Sequence, residues 1–291
     1  MKKILITGAS GMLGATLVKL WNKKFKIYAI GGNNFSHNPA KNFKKFDLKT
    51  KNFKSLALWV KPDIIIHCAA LTNHEYCQSN PKEAMLVNGD SVKKLIDVFP
   101  EAKLIFISTD AVFPLKTHLA NEKTKTSPVT IYGKSKELGE KYFLSFSKNG
   151  CIVRTTIVGK NINPNKQGFA EWIVNSVRNG KKIVLYGDTM FTPISIWHFA
   201  KELEWIINNS TPKILHIAGR EIVSKYDFGY NLCKKLNLDL NLISKGRLNQ
   251  ENRFIKRSQD QTLDCSIYQK LSDHELPNLK ETIKNLYLHF K

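Results

Sequence analysis

The chain has 291 residues, 42% of them hydrophobic, which suffices for one large domain or two small ones around a sizeable core. Its 45 Lys and Arg against 24 Asp and Glu give a net charge of +21, but the lysines are spread along the chain without a nucleic-acid module, so a solvated surface that attracts anionic ligands is expected and nucleic acid is not. No stretch nears the roughly 20 apolar residues that cross a bilayer, Met-Lys-Lys leads straight into a strand rather than a signal peptide, and Cys68, Cys77, Cys151, Cys233 and Cys265 show no Cys-x-x-Cys spacing, so a reduced cytoplasm is the expected setting.

In chain order, the apolar run Lys3–Thr7 predicts a strand, and Thr7-Gly8-Ala9-Ser10-Gly11-Met12-Leu13-Gly14 a turn into a helix over Leu13–Lys23. A strand, a glycine turn and a helix N-terminus together receive a dinucleotide pyrophosphate. Gly8 permits the tight turn, Gly11 lets backbone amides approach phosphate and Gly14 lets helix and strand pack closely. Gly8, Ser10, Gly11, Met12, Leu13 and Gly14 are therefore candidate cofactor contacts. The second strand, Lys26–Ile30, runs into Gly31-Gly32-Asn33-Asn34. An Asp or Glu there would favour NAD and repel the extra phosphate of NADP. With no acid and no arginine at that place, NADPH is the expected cofactor and NADH stays open.

Further on, Phe53–Val60 reads as a helix, Ile64–Cys68 as a strand, Pro81–Val98 as a helix and Leu104–Ile107 as a strand that ends in Ser108-Thr109-Asp110. A helix over Ile131–Ser145 and a strand at Ile152–Arg154 follow. This alternation predicts an α/β fold with a doubly wound, Rossmann-like parallel sheet over residues 1–155. Residues 156–291, with helices at Ile196–Asn208, Val223–Lys235 and Leu279–Phe290, are expected to form a small substrate-binding lobe that also returns segments to the sheet. No linker, low-complexity tract or internal repeat marks the boundary.

Tyr132 and Lys136 stand four apart in Tyr132-Gly133-Lys134-Ser135-Lys136, so they share one helix face and one ligand can touch both. An ammonium near a phenol favours the phenolate and is expected to lower the tyrosine from its ordinary value near ~10. Tyr132 is then a proton donor or acceptor. Thr109, where a strand runs out into a loop, is placed to present a hydroxyl to a ligand.

With these three signals in order, the chain resembles the extended short-chain dehydrogenase/reductase family, and within it the dTDP-4-dehydrorhamnose reductase branch, over nearly its whole length. Pro62 through Ala69-Ala70 is similar to that branch's fourth strand, which ends in alanines against the cofactor. Asn88 lies in a helix after Pro81 as in the family, and Arg257 through Leu263-Asp264 resembles its "Arg-Pro … Leu-Asp" segment with Ser258 in place of proline. The resemblance implies reduction, with NADPH or NADH, of the 4-keto group of a nucleotide-linked 6-deoxy sugar for cell-surface polysaccharide. Thr109, Tyr132 and Lys136 would be catalytic. Asp47, Leu48, Ala69, Ala70 and Asn88 would join the cofactor contacts, Asp47 also being suited to capping a turn. Thr109, Asp110, Tyr132, Ile157 and Arg257 would meet the sugar nucleotide, and family members often pair as homodimers.

Departures from the branch point to another 4-keto sugar. Ala111 stands where tyrosine is usual and Ile157 where tryptophan is, so two rings are missing from the implied sugar pocket, and His74-Glu75-Tyr76-Cys77, in a loop near the substrate, can replace contacts. A metal site from His67, Cys68, His74 and Cys77 is not expected, because Cys68 ends a buried strand. Dehydratases of this fold carry Asp-Glu after the Ser/Thr, whereas this chain has Asp110-Ala111. A sugar-nucleotide epimerase, which uses the same Thr/Tyr/Lys set, remains an alternative. So does a non-catalytic regulatory subunit resembling that of methionine adenosyltransferase, although its C-terminal extension is not evident where the chain stops at Phe290-Lys291.

Overall fold

The computed structural model describes residues 1–32, 40–50, 52–248 and 255–291. The first half alternates strand and helix: β1 (Lys3–Thr7), α1 (Met12–Trp21), β2 (Lys26–Gly31), β3 (Asn42–Lys45), α2 (Lys54–Ala57), β4 (Ile64–His67), α3 (His74–Ser79), α4 (Pro81–Ala84), a π-helical turn (Met85–Asp90), α5 (Ser91–Val98), β5 (Lys103–Thr109), α6 (Ile131–Phe146) and β6 (Gly150–Thr155). The second half has short strands β7 (Ile157–Val158), β8 (Ile183–Tyr186), β9 (Met190–Phe191) and β10 (Ile194–Ser195), with α7 (Phe169–Arg178) before β8 and α8 (Ile196–Asn208) after β10. β11 (Ile214–His216), β12 (Val223–Ser224), α9 (Lys225–Lys235), β13 (Ile243–Gly246), β14 (Asp260–Gln261), α10 (Ser266–Ser272) and α11 (Leu279–Phe290) complete the chain.

Seven parallel strands form the main sheet in the order β11-β6-β5-β4-β1-β2-β3. Strand side chains alternate between faces, and the apolar runs are continuous because both faces are covered. Ile4, Ile6, Ile105 and Ile107 pack beneath α1, α8 and α10, while Leu5, Leu104 and Phe106 pack beneath α2, α5 and α6. A separate core gathers α7, α9 and α11 around β8 and β13. The strand order reverses between β1 and β4, and such switch points at the carboxyl ends of strands are where open α/β sheets bind ligands.

Some elements differ from the sequence-based expectation. The helix expected over Pro81–Val98 is broken by the π-helical turn around Asn88. There Ser91 Oγ donates to the Val87 carbonyl at 2.7 Å and the Asn88 carboxamide is bound elsewhere. The helix expected over Phe53–Val60 is one turn, and the expected loop at His74 is α3, started by Asn73, whose Oδ1 accepts from the Tyr76 amide at 2.9 Å. β3 is an edge strand of mixed polarity that the apolar pattern does not reveal. Asn33 and Asn34 lie outside the described residues. Among the described residues no helix is long and apolar enough to cross a membrane.

Candidate active site

Gly8 turns the chain out of β1 with φ +68°, and a Cβ there would lie 2.7 Å from the Ala69 backbone. A Cβ on Gly14 would lie 2.4 Å from the Gly8 carbonyl. Both positions are closed to any larger residue, so turn, helix and β4 loop meet backbone to backbone. Gly11 caps α1 without a side-chain bond, which leaves the first amides of a ten-residue helix available to an anion. This cradle fits a dinucleotide pyrophosphate. Ser10 and Leu13 are buried at its edge, and Met12 is the first residue of the helix.

Behind the cradle, the Ala69 amide donates to Thr7 Oγ1 at 3.1 Å, and Ala70 is half-buried beside it. Asn88 is fully buried: its Oδ1 accepts from the Leu71 amide at 2.7 Å, and its Nδ2 donates to the Leu71 carbonyl at 3.0 Å and to Ser135 Oγ at 2.9 Å. These bonds tie the loop after β4 to α6, the helix that carries Tyr132 and Lys136. Asp47 is exposed and its Oδ1 accepts from the Lys49 amide at 2.9 Å, the turn-capping arrangement, next to buried Leu48. His67 is buried between Thr7 and Ser91, and burial lowers its pKa to about 3. Its ring is thus a neutral part of the core.

Thr130 starts α6, its Oγ1 accepting from the Gly133 amide at 3.1 Å. A Cβ on Gly133 would lie 2.2 Å from the Ala111 carbonyl, so the first turn of α6 sits directly on the end of β5. That contact brings the Tyr132 phenol near enough to the Thr109 hydroxyl for the hydroxyl to act on its titration. Thr109 Oγ1 also donates to Asp110 Oδ1 at 2.8 Å. Lys136 lies one turn on, 2% exposed, with Nζ donating to the Ile107 carbonyl at 2.7 Å and 4.0 Å from the Phe106 ring centroid.

The electrostatics run against the expected phenolate. Burial raises the Tyr132 pKa, Thr109 opposes the rise, and Lys136 is not among the groups acting on the phenol. Burial instead lowers Lys136 to about 7, with Glu140 resisting. Removing a group from water disfavours its charged form, and here that effect exceeds the attraction of the Tyr-Lys pair. Tyr132 keeps its proton at neutral pH, which suits a donor.

Beneath Lys136, Glu140 forms a buried ion pair with Arg154, at 2.6 Å from Nη2 to Oε2 and 3.0 Å from Nε to Oε1, and both side chains are 3% exposed. Ser108 Oγ donates to Glu140 Oε1 at 2.5 Å, and Arg154 continues to His216. The sequence reading did not single out this group. The available signal was the position of Glu140 on α6, four residues beyond Lys136 on the same face.

A cavity of about 900 Å³ opens beside the Thr109–Tyr132 pair. His74, Ala111, Thr130 and Lys225 form its inner wall, and Phe169, Trp172, Tyr186 and Arg257 lie around it. The His74 ring meets that of Tyr132 at 4.8 Å between centroids, and burial and Arg257 together lower its pKa to about 4. Arg257 also pairs with Glu75 at 3.8 Å. Ile157 pairs in register with Ile194, packs half-buried against the main core and is not among the described residues that line this cavity. Lys225, Phe169 and Trp172 were not anticipated.

The whole chain, residues 1–291, matches the family model described as RmlD substrate binding domain. A probable low-salt glycan biosynthesis reductase of Haloferax volcanii is 26% identical over 98% of this chain and 97% of its own. A dTDP-4-dehydrorhamnose reductase of Aggregatibacter actinomycetemcomitans is also 26% identical, over 98% of each chain. Among solved structures, a dTDP-4-dehydrorhamnose reductase of Bacillus anthracis in complex with NADP superposes with a TM-score of 0.87 at 21% identity over 99% of each chain. Sheet order, glycine turn, the Thr-Tyr-Lys group and a match over the full length agree, and the chain belongs to the RmlD substrate binding domain family.

Proposed function

We propose that this protein is an NAD(P)H-dependent ketoreductase that reduces the 4-keto group of a nucleotide-linked 6-deoxy sugar for cell-surface polysaccharide. The observation that carries the reading is the Thr109–Tyr132 pair, next to Ala111, Thr130 and His74 of the cavity wall, with Tyr132 held protonated by burial. The names and the NADP complex of the related reductases support the same reaction class. Residues 1–155 are read as the dinucleotide-binding part and residues 156–291 as the substrate lobe.

The Gly8–Gly14 turn and the α1 amides would hold the pyrophosphate, with Asp47 and Leu48 at the adenine and Ala69 and Ala70 along the nicotinamide half. NADPH or NADH supplies a hydride to the carbonyl carbon. Thr109, turning its single hydroxyl proton from Asp110 to the substrate, would donate a hydrogen bond to the carbonyl oxygen, and Tyr132 would deliver its proton to that oxygen as negative charge develops there. Such bonds lower the barrier because they strengthen in the transition state. Lys136, one turn along the same helix, would anchor the nicotinamide ribose, and the phenolate that proton transfer leaves would be reprotonated from solvent.

The test is NADPH and NADH oxidation with a dTDP-4-keto-6-deoxy sugar. Wild-type protein is expected to turn over and Tyr132→Phe to lose at least ~100-fold in kcat, the usual worth of a positioned acid, with cofactor affinity retained. Cofactor binding without turnover in wild type would refute the reading and favour a regulatory protein.

A further inference from the structure

The chain beyond β2 reads Gly31-Gly32-Asn33-Asn34, with neither the acid that selects NADH nor an arginine for the extra phosphate of NADPH. Gly31 leaves room at that strand end: a Cβ on it would lie 3.2 Å from Ser10 Oγ and 3.5 Å from Phe43 Cε2, and among the described residues nothing comes within 4 Å of a Cβ on Gly32. β3 lies alongside in register, as Ala29↔Phe43, Ile30↔Lys44 and Gly31↔Lys45. Registered neighbours in a parallel pair turn their side chains to the same face, and alternate residues turn to opposite faces. Phe43 stands on the face of Ser10, so Lys45, two residues on, projects to that face also. Lys44 turns to the other, with Nζ 5.8 Å from the Trp59 ring centroid. Lys45 is exposed at the carboxyl end of β3, and among the described residues its ammonium makes no ion pair or hydrogen bond. Lys49, four residues on, is engaged by Glu83 at 3.1 Å. Ser10, Gly31 and Lys45 therefore border one place, on the adenosine side of the glycine cradle.

Taking the NAD(P)H-dependent reading as given, we propose that Lys45 and Ser10 bind the 2′-phosphate of NADPH, so that the cation which selects this cofactor comes from the third strand. In a dinucleotide fold the adenosine ribose lies at the end of the second strand. A phosphate on its 2′ oxygen brings close to two negative charges and three acceptor oxygens, which an ammonium and a hydroxyl satisfy as donors. An ammonium is a point charge on a flexible stem and gives no bidentate grip. This one is also exposed, so the preference it confers is moderate and weakens with salt. Lys166 is the competing cation. Its amide donates to the Asn163 carbonyl at 3.1 Å, and Asn163 Nδ2 donates to the Ser10 carbonyl at 3.4 Å. That loop, however, lies against Met12 as well, since a Cβ on Gly168 would stand 3.5 Å from the Met12 sulfur. It covers the part of the cradle assigned to the diphosphate, which both cofactors carry.

The experiment measures the dissociation constants of NADPH and NADH by fluorescence titration, at low and at high salt, in wild type and in Lys45→Met, Lys45→Arg, Lys44→Met and Lys166→Met. Wild type is expected to bind NADPH ~10-fold more tightly than NADH at low salt, in keeping with an exposed charge-assisted contact. Lys45→Met should bring the two within ~2-fold by weakening NADPH alone, and Lys45→Arg should keep the preference. Lys44→Met should leave it unchanged, and NADH binding in each variant reports that the fold is intact. Three results would overturn the proposal while the ketoreductase reading stands: equal weakening of both cofactors by Lys45→Met, a loss confined to NADPH in Lys166→Met or Lys44→Met but not in Lys45→Met, or a wild type without preference. A protein that binds neither cofactor would instead overturn that reading, and this inference with it.

Discussion

Replacing Glu140 with Gln keeps the shape of the side chain and removes its charge beneath the catalytic lysine. Arg154 would then be a cation 3% exposed, its bidentate partner reduced to a single amide oxygen, with the neutral ring of His216 and the face of Phe113 beside it. Breaking one half of a buried ion pair leaves the other charge desolvated, at a cost of about 3–5 kcal/mol. Gln retains part of the hydrogen bonding, so the lower end, about 3 kcal/mol, is expected. With a urea slope of about 3 kcal/mol per molar for a chain of this size, the midpoint should fall by roughly 1 M, followed by tryptophan fluorescence. Combining Glu140→Leu with Arg154→Leu removes both charges together, and the double variant should be less destabilised than the sum of the two single ones. A Glu140→Gln midpoint within about 0.3 M of wild type, or strict additivity of the leucine pair, would refute the claim that the two charges depend on each other.

Gly14→Ala places a Cβ 2.4 Å from the Gly8 carbonyl; fluorescence titration should show NADPH affinity reduced more than ~10-fold, since the pyrophosphate cradle cannot form without moving backbone. His67 has a folded pKa of about 3 against 6.5 ordinarily, so the unfolded chain takes up a proton that the folded one refuses, and stability present above pH 6.5 is lost as pH falls toward 3. At pH 5 this single ring costs about 2 kcal/mol; His67→Asn should flatten the stability difference between pH 7.5 and pH 5 by about that amount, measured by urea unfolding at each pH. Thr130→Ala removes the cap of α6 and should cost about 1 kcal/mol in the same assay, with a drop in kcat because Tyr132 sits in that first turn.

The sequence discloses those parts of the site that depend on local sterics. The glycine turn is readable because Gly8 and Gly14 stand where no side chain fits, and the main strands because the apolar runs are unbroken. Tyr132 and Lys136 are readable as one face of a helix. Their titration is not, because it depends on how deeply each is buried, and burial comes from elements far along the chain. Nothing local reveals the bonds that the Asn88 amide makes to Leu71 and Ser135. The half-buried position of Ile157 against the main core follows from a pairing with Ile194, nearly forty residues on, that no local pattern announces. Lys225 begins a helix more than ninety residues after Tyr132, and only the folding of the lobe brings it into the cavity wall with Ala111.

The seventh strand of the main sheet has a bearing on how the chain reaches its fold. β11 pairs with β6 through Ile214↔Ile152 and Leu215↔Val153, so some sixty residues must be synthesised beyond β6 before that edge is covered. Until then a strand whose residues are all buried in the finished protein presents unpaired backbone and apolar side chains to its surroundings, the condition under which nascent sheets associate with one another. Emergence of the C-terminal half from the ribosome thus completes the nucleotide-binding sheet as well as the lobe above it, and a chain truncated near residue 155 would lack its own edge protection.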